Sequence, residues 1–487
     1  MHLISSKVRF QRLRTSLWLV CLPLTLSACS FVEYFAKPID QEALIQKIES
    51  KHPDDVQFKQ FLANNNYAPS TFPITQWNLD ELIYCSLFFH PNLDLARAQW
   101  RAAEAAQVTA GARPLPTLGG NYGKSDNANG DISPYTYGLS IDIPVLTANK
   151  LDIRIKNAQH LSEAAKLDVA QTAWNIRAQV ATTYYELQFN QALLRALSRE
   201  LAYRQDIVAM YQKRQDLGLA SKIELSHAKL LLQTTNTDLN TQQQNKLVLT
   251  TKLASNLGLP LSLVQQMKFA DAPDAESIIA NTAPDLLANP QPTAILNRLD
   301  LRIALQRYAL AEGKLKLEIA KQYPDLTLSP SYTYEFGSQV WSLGLSGLLT
   351  ILNKNKYAIA EATQLREVEA AQFESLQNRV ISETHAAQAK LTQSQQALAD
   401  YKRLYVLQQD NTNRMQHLFA GGEIDRLELT MAKLEDLMSE KSVTLANYQL
   451  YNSINNLENT LQHPLHEHGI QPSALNAVHT DWYRPRH

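Results

Sequence analysis

VLTANKLDIRIKNAQHLSEAAKLDVAQTAWNIRAQVATTYYELQFNQALLRALSRELAYRQDIVAMYQKRQDL, residues 145–217, runs for 73 residues without a glycine or a proline. Residues 348–420 do the same over an equal length. Glycine and proline are the residues that most reliably end helices, and both runs are rich in Ala, Leu, Gln, Glu and Lys, so each predicts one continuous helix. At 1.5 Å per residue such a helix reaches about 110 Å. Ordinary globular helices stop within about 8 to 20 residues, so two equal rods point to an internal duplication and a long object.

A constant numbering offset between the halves supports the duplication. Gly218, Glu224, Leu225, Ala228 and Lys229 fall on Gly422, Glu428, Leu429, Ala432 and Lys433 at an offset of 204. Asn149-Lys150 falls on Asn353-Lys354 at 204, Leu93-Asp94-Leu95 on Leu299-Asp300-Leu301 at 206, and Pro116 on Pro324 at 208. The drift places four surplus residues in the first half, in the polar turn composition of residues 124–131. Each half then reads helix, strand, turn, strand, very long helix, tight turn, helix. The helical arms are expected at 78–111, 149–217 and 221–258, and again at 294–321, 353–420 and 424–462.

Between the arms lie alternating segments. Tyr135, Tyr137, Leu139, Ile141 and Ile143 alternate with Thr136, Gly138, Ser140 and Asp142, a period of two. Leu326, Leu328, Tyr332, Tyr334 and Phe336 alternate with polar residues, as do Trp341, Leu343 and Leu345, while Leu118, Gly120 and Tyr122 make a weaker strand. An apolar face, a small or polar face, aromatic ends and a length near ten residues are the pattern of transmembrane strands around a wet lumen. A half-buried sheet packed on a helix would show the same alternation.

At the amino terminus, Lys7, Arg9, Arg12 and Arg14 precede an apolar run from Leu17 to Leu26, followed by Leu26-Ser27-Ala28-Cys29. This is the order of a secretory signal, and the small residues before Cys29 resemble the bacterial lipobox, at which the cysteine is acylated. The apolar run, interrupted by Pro23, is too short to span a bilayer. Ser30 after the cysteine fits delivery to the outer membrane, where two or three acyl chains anchor firmly. Removal of residues 1–28 leaves 42 Lys+Arg against 47 Asp+Glu, a formal charge of −5, which gives nucleic acid binding no electrostatic support. Cys85 is then the one thiol besides Cys29, so no internal disulfide is expected, and Cys85 reads as a small core residue rather than a reactive group.

No Gly-x-Ser-x-Gly, phosphate-binding glycine loop, Cys-x-x-Cys or His-Glu-x-x-His occurs, so neither an enzyme nor a cofactor is expected. His463, His466 and His468 have spacings that could share a metal ion, but they lie in a proline-containing tail that reads more simply as solvated, and no metal is expected.

Four strands cannot close a membrane sheet, and free edges within a bilayer leave backbone groups unsatisfied. A cyclic oligomer resolves this, three chains giving twelve strands about a central axis. The long helices would continue that axis as a helical barrel. The duplicated hairpin-and-rod plan, the tip sequences Gly218-Leu219-Ala220-Ser221-Lys222-Ile223-Glu224-Leu225 and Gly421-Gly422-Glu423-Ile424-Asp425-Arg426-Leu427-Glu428-Leu429, and the lipobox together resemble a TolC-type outer-membrane efflux protein, most similar to the lipoprotein branch of that family. The resemblance covers residues 77–463. It implies an α+β membrane protein: a homotrimer with a twelve-stranded β-barrel over a long α-helical barrel. It further implies the exit duct of a tripartite efflux or type I secretion system, lipid-anchored in the outer membrane, extending into the periplasm and working with a periplasmic adaptor and an inner-membrane transporter. The closed end would carry acidic residues, Glu428 first and Asp425 and Glu224 beside it, with the tip turns Gly218, Lys222, Gly421, Gly422 and Arg426 docking the adaptor. A second family acid one turn on falls at Met431, a departure from the pattern. The implied domains are a signal peptide at 1–28, an N-terminal segment at 29–77, a first repeat at 78–260, a connector at 261–293, a second repeat at 294–463 and a tail at 464–487. The competing reading is a lipid-anchored periplasmic coiled-coil tether, which would not need four strands placed symmetrically at the rod ends.

Overall fold

The computed structural model describes residues 32–69, 71–126, 130, 132–348 and 352–465. Cys29, His466 and His468 therefore lie outside the described residues. Two compact units are present, one ending at Ser50 and the other beginning at Lys51. In the first, a helix over Gln41–Glu49 is capped by Asp40 and buries no residue. The remainder of the fold belongs to the second unit.

Its first repeat comprises α1 (Leu79–Phe89), α2 (Pro91–Ala110), β1 (Thr117–Lys124), β2 (Tyr135–Val145), α3 (Lys150–Asp216) and α4 (Lys222–Leu257). Its second comprises α5 (Leu299–Ala320), β3 (Leu326–Glu335), β4 (Ser338–Gly347), α6 (Lys356–Ala420) and α7 (Arg426–Leu461). The rods are 67 residues in α3 and 65 in α6, each close to 100 Å. The arm expected over 78–111 divides at His90. Pro91 cannot continue a helix but is suited to start one, and the Asn92 N–H donates to His90 Nδ1 at 3.1 Å to cap the new start.

The duplication holds with one correction to its arithmetic. Each rod starts after an asparagine in the left-handed region, Asn149 (φ 54°) and Asn355 (φ 50°), so the counterpart of Asn149 is Asn355, an offset of 206 and not 204. The hairpins agree: Leu118 pairs with Ile141 and its counterpart Leu326 with Gly347, which again equates the second strands at 206. Gly218 (φ 74°) and Gly422 (φ 78°), where a Cβ would be strained, keep the offset of 204 at the far ends. Only two of the four surplus residues therefore sit in the first hairpin turn, and the other two lengthen α3. The sequence alone shows identities at both ends of a rod but not where within it the register slips.

The sheet is antiparallel in the order β1-β2-β3-β4. Its apolar face is the exposed one: Leu139 is 54% exposed, Leu345 65% and Trp341 80%. On the other face Ser329 donates to Asp142 at 2.5 Å and the hydroxyls of Ser331 and Ser342 meet at 2.7 Å. At the base of the sheet the buried Lys150 binds the Tyr323 carbonyl at 2.6 Å and Asp325 at 2.8 Å, fastening the start of α3 to β3. Among the described residues no helix is long and apolar enough to cross a membrane.

The core forms part-way along the rods. There Trp174, Tyr184 and Leu187 of α3 pack with Leu82 and Ile83 of α1, Leu253 and Leu257 of α4, and Leu450 and Leu457 of α7. Full burial of each leucine contributes about 1.5–3 kcal/mol. A helix over Val56–Asn64 adds Phe58 and Leu62. Lys51 Nζ donates to the carbonyls of Phe89 at 2.8 Å and Gly258 at 3.2 Å, placing a cation at the carboxyl ends of α1 and α4, where the helix dipoles favour it. Cys85 is fully buried, and burial pushes its thiol well up, as expected of a core residue.

Candidate functional site at the helix tips

The far end of the second unit carries two hairpins related by the duplication. In the first, Gly218 turns the chain and Ser221 caps α4. The Glu224 N–H donates to Ser221 Oγ at 3.2 Å, and the Glu224 carboxylate accepts from the Ser221 N–H at 2.7 Å. In the second, Gly422 turns the chain and Asp425 caps α7. The N–H groups of Leu427 and Glu428 donate to Asp425 Oδ1 at 2.7 and 3.0 Å, and Glu428 accepts from the Asp425 N–H at 3.1 Å. These are reciprocal capping boxes, and both glutamates occupy the third position of the first turn. The carboxylates sequence reasoning placed at a constriction are thus also the ones that satisfy the free N–H groups opening the returning helices. The backbone and hydroxyl of Ser221 hold the Glu224 carboxyl below the usual range.

The two hairpins are tied across repeats. Arg214, in the last turn of α3, binds Asp425, and Arg426 reaches Asp206 of α3 at 3.5 Å. Asp425 thus pairs with Arg214 of the other repeat and not with its own neighbour Arg426. Slight desolvation of Asp425 is outweighed by the Glu428 and Leu427 N–H groups and by Arg214, so its carboxyl lies below the usual range. Behind the pairs, Ile207, Ala228, Leu427 and Leu434 form a small apolar cluster joining α3, α4 and α7. Further up, Arg199 pairs with Glu440, and the buried Glu200 accepts from Lys441 at 2.8 Å, Arg204 at 3.1 Å and Thr235 at 3.1 Å. Burial opposes ionisation of Glu200, but Lys441 and Arg204 overcome it and hold its carboxyl low. Sequence reasoning missed the rungs between the repeats, because Arg214–Asp425, Arg426–Asp206, Arg199–Glu440 and Lys441–Glu200 each join residues more than 200 positions apart. At the tip itself Leu217, Leu219 and Ile223 are between 73% and 80% exposed, an apolar point beside Gly218 and Lys222. Met431, on the first turns of α7, is 37% exposed and brings no charge.

Residues 82–259, most of the first repeat, match the outer membrane efflux protein family. The chain is similar to this family over that stretch. That family is one of outer-membrane efflux. Among curated relatives, the pyoverdine export outer membrane protein OpmQ of Pseudomonas aeruginosa is 24% identical over 315 residues, 58% of this chain and 64% of that one. This chain therefore matches somewhat less than two thirds of the length of that relative. The toxin and drug export protein A of Aggregatibacter actinomycetemcomitans is 22% identical over 75% of this chain and 82% of its own. Among solved structures, the outer-membrane channel OprN superposes with a TM-score of 0.64 at 20% identity, covering 89% of this chain and 99% of that one. The fold of this chain is therefore that of an outer-membrane channel.

Proposed function

We propose that three copies of this chain form an exit duct across the outer membrane and periplasm, receiving cargo from an inner-membrane pump through a periplasmic adaptor. The observation that carries this reading is the four-stranded sheet with an apolar outer face and nothing paired beyond β1 and β4 among the described residues. A membrane sheet must close. The names of the relatives, exporters of pyoverdine and of toxin and drug, support small-molecule or toxin cargo. Under this reading the exposed tip of Leu217, Leu219 and Ile223, with Gly218, Lys222, Gly421, Gly422 and Arg426, meets the adaptor. Protein reconstituted in planar bilayers should conduct ions. Loosening the tip with Arg214→Ala should raise the current, and Glu428→Gln should weaken cation preference while the glutamine still caps the helix. Asp425 has a depressed carboxyl pKa, so its contribution to tip closure is present above the ordinary carboxylate range and lost only as pH falls below it. The rise in current caused by Arg214→Ala should accordingly be as large at about pH 5 as at about pH 7. A protein that never conducts, Arg214→Ala included, is not a duct.

The duplication also specifies how copies would join. Within the chain Ser140 of β2 pairs with Ser331 of β3. Carrying β2 to β4 at 206 and β3 to β1 at 208 sets Ser346 of one copy opposite Gly123 of the next. A uniform offset of 204 for the second strands would instead set Ser346 opposite Asn121. Ser346→Cys combined with Gly123→Cys should oxidise to a covalent trimer, and Ser346→Cys with Asn121→Cys should not. The reverse outcome would reject the register.

Acylation of Cys29 and anchoring of the new amino terminus in the outer membrane complete the proposal, on the strength of Leu26-Ser27-Ala28 before the cysteine. Labelled fatty acid should enter the wild-type protein and not Cys29→Ser; equal labelling would remove the anchor from this account.

A further inference from the structure

On one side of the core, Tyr184 and Gln188 of α3 donate to the Ala270 carbonyl at 2.8 and 2.6 Å, so the connector between the repeats covers that side. The opposite side of α3, with Ala178, Gln179, Thr182 and Glu186, floors an open cleft of about 670 Å³ walled by α4 and α7. If the chain forms a duct, the connector lies outside and this cleft faces the lumen. Its α7 wall is a row of asparagines, Asn452, Asn455, Asn456 and Asn459, spaced by three, one and three so that they share one helix face. The other face of the same turns is core, with Ile454, Leu457 and Leu461.

The wall is built rather than incidental. Asn455 is nine-tenths buried and donates to Thr182 Oγ1 at 2.9 Å, while its own Oδ1 accepts no hydrogen bond from the described residues. Across the cleft Asn256 donates to Thr183 Oγ1 at 3.0 Å. The charges at this end, Glu186 and Lys252, neutralise each other at 2.8 Å. Tyr448 contributes a ring held flat against Phe189, centroids 4.6 Å apart. A second cleft of about 650 Å³ shares Asn456 and Asn459 and continues along the same face.

We infer that this asparagine-walled cleft is a weak binding station for neutral polyhydroxylated solutes, a class of cargo that the duct would pass. The inference rests on the duct reading for its lumenal position. A carboxamide is uncharged and carries donors and acceptors side by side, which matches vicinal hydroxyl groups. A fixed aromatic ring offers the apolar face of a sugar ring a flat surface. A charged solute would lose water here and find the local charges already paired, so the cleft favours neutral cargo. Its volume lies within the range of small-molecule sites.

The test is saturation-transfer NMR on the purified full-length protein, in a detergent without a sugar headgroup, with maltohexaose as probe and a polyethylene glycol of equal mass as the acceptor-only comparison. Maltohexaose should receive saturation and the glycol should receive much less. Asn452→Ala with Asn456→Ala changes two partly or fully exposed positions and should weaken maltohexaose binding, each lost hydrogen bond accounting for about fivefold. Asn455→Leu should weaken it too, and the double variant carries the test if that buried substitution harms folding. Equal saturation of both probes, no saturation of either, or unchanged binding in the double variant overturns the inference. Binding is read without any current, so it fails or holds separately from the duct, which conductance tests.

Discussion

Glu458→Met should lower the stability of the protein by about 3–5 kcal/mol, because it leaves a buried guanidinium without its counter-charge. Arg177 is 1% exposed and its Nη2 donates to Glu458 Oε2 at 2.8 Å. Glu458 in turn accepts the Leu465 N–H on Oε1 at 2.8 Å, so the carboxylate also fastens the chain where it leaves α7. The guanidinium lies over the Trp174 ring at 5.0 Å, while its Nε and Nη1 find no hydrogen-bond partner among the described residues. With so little other compensation, the carboxylate carries most of the balance. Replacing both residues together, Arg177→Met with Glu458→Met, should cost far less or even stabilise, since apolar packing substitutes for a desolvated pair. Thermal and denaturant midpoints of the three variants give the comparison. A single variant no worse than the double one would mean that water or another group already neutralises Arg177.

The second large effect belongs to the sheet. Leu139→Arg or Leu345→Arg should cost about 2–4 kcal/mol near the bilayer midplane, because both side chains stand on the exposed apolar face. Arg at Ser140, on the opposite face and half-buried between neighbouring strands, should disturb assembly much less if that face lines a wet lumen. Heat-resistant oligomer recovered from membranes is the readout. Equal losses from both faces would place lipid and water on the wrong sides.

Much of this architecture is legible in the chain because its signals are local. The rods announce themselves through the absence of helix breakers, and α6 and α7 start and stop within about three residues of where composition puts them. The hairpins follow from alternation, the tip turns from Gly218 and Gly422. Less was legible wherever two distant segments meet. Arg177 and Glu458 are separated by 281 positions and Arg214 and Asp425 by 211, and nothing near either residue marks the partner. The connector gave no periodicity, and it holds short helices of four to seven residues that lean on the core rather than on their own pattern. At the candidate site a local signal was present and outweighed: Ser221-x-x-Glu224 and Asp425-x-x-Glu428 are capping-box sequences. Reading those glutamates first as pore charges passed over the simpler task that their spacing assigns them.

The two open strand edges bear on how such a molecule comes into being. In the proposed duct a single copy holds, among the described residues, unpaired backbone along β1 and β4, and in lipid those groups have nowhere to turn, so a lone chain would have no stable inserted state to wait in. Insertion and association then become one event, with a rate that rises steeply with the local number of copies and an apparent stability inseparable from protomer concentration. Dilution during synthesis is the hazard, since each unpaired edge is also a template for the wrong neighbour. Crowding newly made chains at one patch of membrane would favour the closed form more than any added contact within the chain.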